Sequence, residues 1–215
     1  IPLIERWHDH QVLVRQGYGM TEAGPNLTSL HHLDALRKAG SIGKPNFYVQ
    51  IRISGESGQE VPVGDTGELW IRGPVVTPGY WEQPEAFQQA ISGDWLRTGD
   101  LVRQDDEGDL YVVDRIKNMY ISGGENVYPA ETERLLRHHQ DVADAAVIRV
   151  PDPKWGESGI AFIVPQAGAT PDAGVLLEFC RANLARFKIP KEFRFIDVLP
   201  LNDAGKVDRK KLLEY

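Results

Sequence analysis

Five stretches of this 215-residue sequence set side chains that can do chemistry beside residues that shape a backbone. Gly17-Tyr-Gly-Met-Thr-Glu22 reads as a strand running into a glycine-bracketed turn, with the Thr21 hydroxyl beside the Glu22 carboxylate. Such a pair suits phosphate and magnesium, the hydroxyl facing a phosphate oxygen and the carboxylate a hard cation. Taken alone, an ordinary turn explains it better. Gly93-Asp-Trp-Leu-Arg-Thr-Gly-Asp100 ends on an acid just after Gly99. A carboxylate has two acceptor oxygens and can take both hydroxyls of a cis-diol such as ribose, although Thr-Gly-Asp is also a common loop. In the stretch from Asp114 to Pro129, Arg115 and Lys117 come before the Gly123-Gly124 pair. Charged residues at a domain boundary can exchange partners between two arrangements, and glycines let a backbone approach a ligand or adopt positive φ. A β-hairpin leading into a capped helix accounts for the glycines but not for the whole string. Pro200-Leu-Asn-Asp-Ala-Gly-Lys206 is a turn presenting a lysine. It lacks the glycine spacing and following Ser/Thr of a Walker loop, so locally Lys206 is a solvated surface residue. Gly67-Glu-Leu-Trp-Ile-Arg-Gly-Pro74 with Gly79-Tyr-Trp81 reads as a strand, a turn and core aromatics.

The elements that must position these residues change character along the chain. Residues 47–53 and 67–72 alternate, with Gly and Pro between them, and predict short strands; residues 109–114 add another, with little helix among them. Gln11–Gln16 is strand-like as well. A small antiparallel unit, a β-barrel-like subdomain over about 40–114, follows from this pattern. After residue 117, Pro129 opens a helix of about 11 residues with acids in its first turn and bases in its last. Ala145–Val150 and Ile160–Val164 suit buried strands, and Leu176, Phe179, Cys180, Leu184 and Phe187 recur on one helix face. With Phe193–Val198 as a last strand and Val207–Leu213 as a terminal helix, a βαββαβ-like order results. The fold class is therefore α+β, with a boundary placing 1–116 in one domain and 117–215 in another.

Composition sets outer limits. A 41% hydrophobic and 26% charged chain is globular in make-up, and a net charge of −7 argues against nucleic acid or anionic membrane as partner, because both require a basic surface. The single Cys180 has no internal disulfide partner, so a reduced, cytoplasmic setting is the economical reading. No run approaches the ~20 apolar residues of a membrane helix. The first residue is Ile1 and no polar leader precedes the first elements, so the sequence is expected to start inside a larger protein.

Order and spacing unite the five stretches. Tyr18-Gly-Met-Thr-Glu22, Gly67–Gly73, Trp95–Asp100, Asp114–Lys117 with Ile121-Ser-Gly-Gly-Glu-Asn-Val-Tyr-Pro-Ala130, and Pro200–Lys206 resemble the later motifs of the adenylate-forming superfamily of acyl-CoA synthetases, carrier-loading adenylation domains and luciferases. The Ile-Ser-Gly-Gly-Glu-Asn form is similar to that of fatty-acyl and aryl-CoA ligases.

The resemblance implies the end of the large AMP-binding domain followed by the small mobile domain. It implies that a carboxylic acid, a fatty acid foremost, attacks ATP to give acyl-AMP, and that the thiol of coenzyme A then displaces AMP. The alternatives it leaves are loading of a carrier-protein pantetheine and a non-catalytic nucleotide-binding fragment. Residue by residue, Tyr18, with Gly19 in the same motif, would stack on adenine. Thr21 would contact phosphate and Glu22 would hold Mg²⁺, while Asp100 and Arg115 would grip the ribose. Lys117 would be the hinge between half-reactions. Lys206 would enter the site for adenylation, and Ser122, Gly123, Gly124 and Glu125 would border the pantetheine path. The superfamily's phosphate loop ending in lysine is not among these residues, so the piece alone is expected to be inactive and to work with the remainder of its own N-terminal domain. Thr132 replaces the usual aliphatic residue of the Pro-Ala-Glu-x-Glu pattern.

Overall fold

The computed structural model describes residues 2–215 and divides into two compact units, the first running to Ile116 and the second from Lys117 to Tyr215. None of the helices described is long and apolar enough to cross a membrane.

The first unit opens with helix α1 (Pro2–Asp9), where no helix was expected. The strand-like Gln11–Gln16 forms no ladder; Val12 and Leu13 are exposed, and pairing begins only at Gly17, where a partner strand lies opposite. Strands β1 (Gly17–Met20), β2 (Gly24–Ser29) and β3 (Lys44–Pro45) make a small antiparallel sheet. A second sheet contains β4 (Gln50–Ser54), β5 (Thr66–Arg72), β6 (Ile91–Ser92), β7 (Trp95–Gln104) and β8 (Leu110–Arg115), with helix α2 (Pro84–Ala90) before β6. Its order is β4-β5-β7, and β7 then pairs with β6 near Trp95 and with β8 from Asp100 onward. β4 and β8 do not pair among the described residues, but a bridge joins Gly43, beside β3, to Leu110 of β8, and the two sheets of this unit share one core. Strand β5 is buried at five successive positions because it is central in the sheet, and Leu69, Ile71, Leu96, Val102 and Leu110 form the core around it.

The second unit begins with the hairpin β9 (Tyr120–Ser122) and β10 (Glu125–Val127), followed by helix α3 (Pro129–Leu136). β11 (Val142–Asp152) and β12 (Gly156–Pro165) form a long antiparallel pair, and helix α4 (Ala173–Asn183) then leads to β13 (Glu192–Phe195), parallel to β12. Two-residue periodicity sorts the side chains of this pair. Ala145, Val147, Ala161 and Ile163 face Leu136, Leu176 and Cys180 of the helices. Ala146, Ile148, Ile160 and Phe162 face Leu199 and Leu212 of the terminal segment.

Both helices carry the end signals their sequences advertise. Pro129 starts α3, and Asp172 Oδ1 caps α4 by accepting from the Gly174 and Val175 amides at 2.8 and 3.1 Å. α3 is shorter than expected because its last turn tightens, with His138 N and His139 N bonding three residues back. Thr132 is buried and its hydroxyl donates to Lys188 O at 3.2 Å. The last strand stops at Phe195, and the expected terminal helix is a single 3₁₀ turn, Lys211–Glu214.

Candidate functional site

Strand β7 carries the most built-up cluster, and it does so at an irregularity. Gly99 has φ +72°, and the pairing of β5 with β7 shifts register between Glu68 and Trp70. The Thr-Gly-Asp stretch is thus a bulge inside a ten-residue strand, the device by which a ladder re-aims one side chain. Buried Glu68 fills the bulge: Oε1 accepts from Gly99 N at 3.1 Å and Oε2 from Trp70 Nε1 at 2.8 Å. Thr98 Oγ1 donates to Leu69 O at 2.7 Å and accepts from Asp100 N at 3.1 Å. The peptide on each side of Gly99 is therefore tied down, and Asp100 is aimed.

Asp100 is buried and lies opposite Arg115 across the β7–β8 ladder. Its Oδ1 accepts from Arg115 Nε at 2.7 Å, and its Oδ2 accepts from the Tyr18 hydroxyl at 2.6 Å. Each carboxylate oxygen thus has one internal donor and keeps a second acceptor position. Burial, reinforced by the bond to Asp100, holds the Tyr18 phenol far above its ordinary pKa. The Asp100 bond raises Arg115, and the charge of Glu22 adds to the effect.

Glu22 follows Thr21 on the β1–β2 turn, where Thr21 is exposed. The Glu22 carbonyl accepts from Thr77 N at 2.7 Å, and its Oε1 accepts from Tyr80 Oη at 3.0 Å. Burial first, and Glu22 second, raise the pKa of Tyr80. Gly19 is fixed by packing: a Cβ there would lie 2.4 Å from the Pro25 carbonyl carbon. No group of three or more metal-ligating side chains exists among the described residues. A lone Glu22 carboxylate fits magnesium, which takes one or two protein carboxylates and fills its shell with phosphate and water.

Ile116 N donates to Gly99 O at 2.9 Å, and Lys117 comes next, exposed in the turn at residues 116–118. In the second unit, Gly123 and Gly124 have φ +62° and +88°, the pair of left-handed residues that a two-residue hairpin between right-twisted strands requires. Buried Ser122 pairs with Gly156, while Gly123 N donates to Trp155 O at 2.9 Å and Ile121 N to Glu157 Oε2 at 3.0 Å. Glu125 is exposed across the turn. Lys206 is exposed on a second hairpin, where Asn202 N donates to Lys206 O at 2.8 Å and Gly205 is left-handed at φ +72°. Asn202 Oδ1 braces it by accepting from Ala204 N at 3.0 Å and Lys206 N at 3.1 Å.

The structure therefore joins Tyr18, Asp100 and Arg115, with Glu22 close by, in the first unit. It sets Ser122–Glu125 and Lys206 on two braced turns of the second. Glu68 and Thr98 brace the bulge before Asp100, which sequence reasoning missed; a Gly-Glu strand start gives no sign that its acid turns inward.

Residues 2–81 match the family described as AMP-binding enzyme, and residues 131–206 match the AMP-binding enzyme C-terminal domain. The chain belongs to the AMP-binding enzyme family. Similar members include a feruloyl-CoA synthase of Amycolatopsis sp, 44% identical over 205 residues, which span 95% of this chain and 42% of that protein. A 2-succinylbenzoate–CoA ligase of Geobacillus kaustophilus is 44% identical over 211 residues, 98% of this chain and 43% of its own. Among solved AMP-binding enzymes, the o-succinylbenzoate CoA synthetase of Bacillus subtilis, in complex with the acyl-adenylate OSB-AMP, superposes with a TM-score of 0.91 at 39% identity over 98% of this chain and 43% of that one. The same enzyme has been solved with AMP and with ATP and magnesium. The chain spans less than half the length of these relatives.

Proposed function

We propose that this chain is the carboxyl-terminal part of an AMP-forming acid–CoA ligase whose acid is aromatic, residues 1–116 ending the large AMP-binding domain and 117–215 forming the small mobile one. The observation that carries the proposal is Asp100, a buried carboxylate held at both oxygens by Tyr18 and Arg115 yet able to accept two more hydrogen bonds, as the 2′ and 3′ hydroxyls of ATP demand. The sequence-based expectation of a fatty acid gives way here, because the relatives are named for feruloyl and 2-succinylbenzoate, both aryl acids.

In this reading Tyr18 lies under adenine, Thr21 contacts phosphate and Glu22 supplies the protein ligand to Mg²⁺, which screens the phosphate charge. Lys206 offsets charge developing between the attacking carboxylate and the α-phosphate, a task for an ammonium on a long stem. Ser122–Glu125 borders the path of the coenzyme A thiol, where glycines leave room. Lys117 is the hinge that exchanges one turn for the other. The remainder of the N-terminal domain supplies the phosphate loop and most of the acyl pocket. A cytoplasmic setting suits Cys180, a buried free thiol.

The full-length protein tests this when offered ATP, coenzyme A and a panel of aryl and fatty acids. The expected result is AMP and an aryl-CoA thioester, with Lys206→Ala slowing acyl-AMP formation by ~10²-fold, the scale for one preorganised electrostatic contact. Release of ADP, or a carrier-bound product in place of the CoA thioester, would refute the assignment.

A further inference from the structure

Lys206 stands on a hairpin whose stem closes with Asp208 N donating to Pro200 O at 2.8 Å, and Arg209 follows that stem directly. Arg209 Nη1 donates to Glu133 Oε1 and to Val147 O, both at 2.7 Å. The same oxygen of Glu133 accepts from Val147 N at 2.8 Å, and Arg137 Nη2 donates to Ala145 O at 2.8 Å. β11 is the outermost strand of its sheet, so these three side chains satisfy outward-facing peptide groups that would otherwise lack partners. The arm bearing Lys206 is bolted to the rim of β11, and through Glu133 to α3.

The other anchors of the terminal segment are apolar, with Leu199 and Leu212 buried and Val207 packed against them. Apolar burial holds a segment to a surface without setting its direction. A guanidinium seated on a buried carboxylate and a carbonyl does set one, because its donors lie in a fixed fork. The Glu133 side chain is 6% exposed and that of Arg209 26%, so water competes little for the pair.

We propose that Arg209, seated on Glu133 and Val147, is a positioning residue for Lys206: it fixes the direction in which the hairpin presents the ammonium, and so acts on acyl-AMP formation but not on thioester formation. The inference rests on the reading of Lys206 given above.

The test is a double-mutant cycle in the full-length protein with Lys206→Ala, Arg209→Met and the pair. Acyl-AMP formation is followed by pyrophosphate release, and thioester formation is started from supplied acyl-AMP. Arg209→Met should slow the first step about tenfold, the scale of a small misplacement, and leave the second within about twofold. In the Lys206→Ala background it should add less than about twofold, because aiming an absent group has no further effect. Equal losses in both steps, or a full tenfold loss without Lys206, would overturn the inference and make Arg209 a general stabiliser. A slow Lys206→Ala beside a normal Arg209→Met refutes the inference alone, whereas a normal Lys206→Ala refutes the reading of Lys206 and this inference with it. If Arg209→Met fails to fold, Arg209→Lys keeps a cation on Glu133 without the fork and must show the same selective loss.

Discussion

Trp155 lays its ring against Gly123 so closely that a methyl group on the glycine would lie 2.8 Å from Cε3. Gly123 also sits at φ +62°, so Ala there meets both backbone strain, roughly 1–2 kcal/mol, and a collision. Gly124, at φ +88°, has open space around its missing Cβ, so Ala there meets backbone strain without a collision. Denaturant titration should therefore find Gly123→Ala more destabilised than Gly124→Ala. In the full-length protein Gly123→Ala should slow thioester formation while acyl-AMP formation persists; the reverse order would remove this turn from the thiol's path.

Asp100→Ala should weaken ATP binding in both half-reactions by about tenfold or more, since charge-assisted hydrogen bonds are lost. Tyr18→Phe, which deletes one internal donor and keeps the ring, should cost about fivefold. Calorimetric titration with ATP and with 2′,3′-dideoxy-ATP checks the cause. The variants should lose affinity for ATP much more than for the analogue, and a parallel loss for both nucleotides would take Asp100 off the ribose.

Lys117→Pro should retain acyl-AMP formation and impair the coenzyme A step, because proline fixes φ where a hinge must turn. Stopped-flow measurement of each half-reaction decides it. An unimpaired second step would move the hinge elsewhere.

Alkaline pH should loosen the chain in a definite order. Burial pushes the Cys180 thiol up to about 11 and carries the Tyr18 and Tyr120 phenols higher still. Each raised pKa favours the neutral folded form, so stability is intact below the unfolded values, about 8.5 for Cys and about 10 for Tyr, and falls as pH rises past them. Urea midpoints should hold between about pH 6 and 8 and decline above about 9. Tyr120→Phe should flatten the later decline and leave neutral stability no lower, because the buried Tyr120 hydroxyl has no hydrogen-bond partner among the described residues. Identical alkaline slopes in wild type and variant would refute the assignment.

Residues 117–215 should fold when expressed alone, since both faces of the β11–β12 pair are covered from within the unit. Dispersed amide NMR signals would bear this out, and a collapsed spectrum would show dependence on the other unit.

What the sequence made legible was mostly local. Pro129 marked a helix start, alternation marked β5, and short apolar runs marked β11 and β12, because caps and burial act within a few residues. Gly99 was ambiguous, because a left-handed glycine before an acid has the same signature in a loop and in a strand bulge. Helix α1 and the missing ladder at Gln11–Gln16 went unread because strand formation depends on a partner that propensity cannot supply. Asp100 and Arg115 could be named from motif order, but the Tyr18–Asp100 bond spans distant stretches that only the folded sheets bring together. Glu133 did leave a signal. It shares the buried stripe of α3 with Thr132 and Leu136, and an acid on such a stripe calls for a cation, which proved to be Arg209.

The capped rim of β11 has a consequence beyond catalysis. This is the longest strand of the chain, and a long bare edge invites a second polypeptide to add itself by backbone pairing, the first step toward clumping. With Arg137, Glu133 and Arg209 occupying the peptide groups of Ala145 and Val147, an incoming strand finds those rungs taken and meets fixed charges in their place. A neighbouring chain would therefore lose those two rungs, and the residues proposed to aim a lysine also make this stretch of the edge a poorer template.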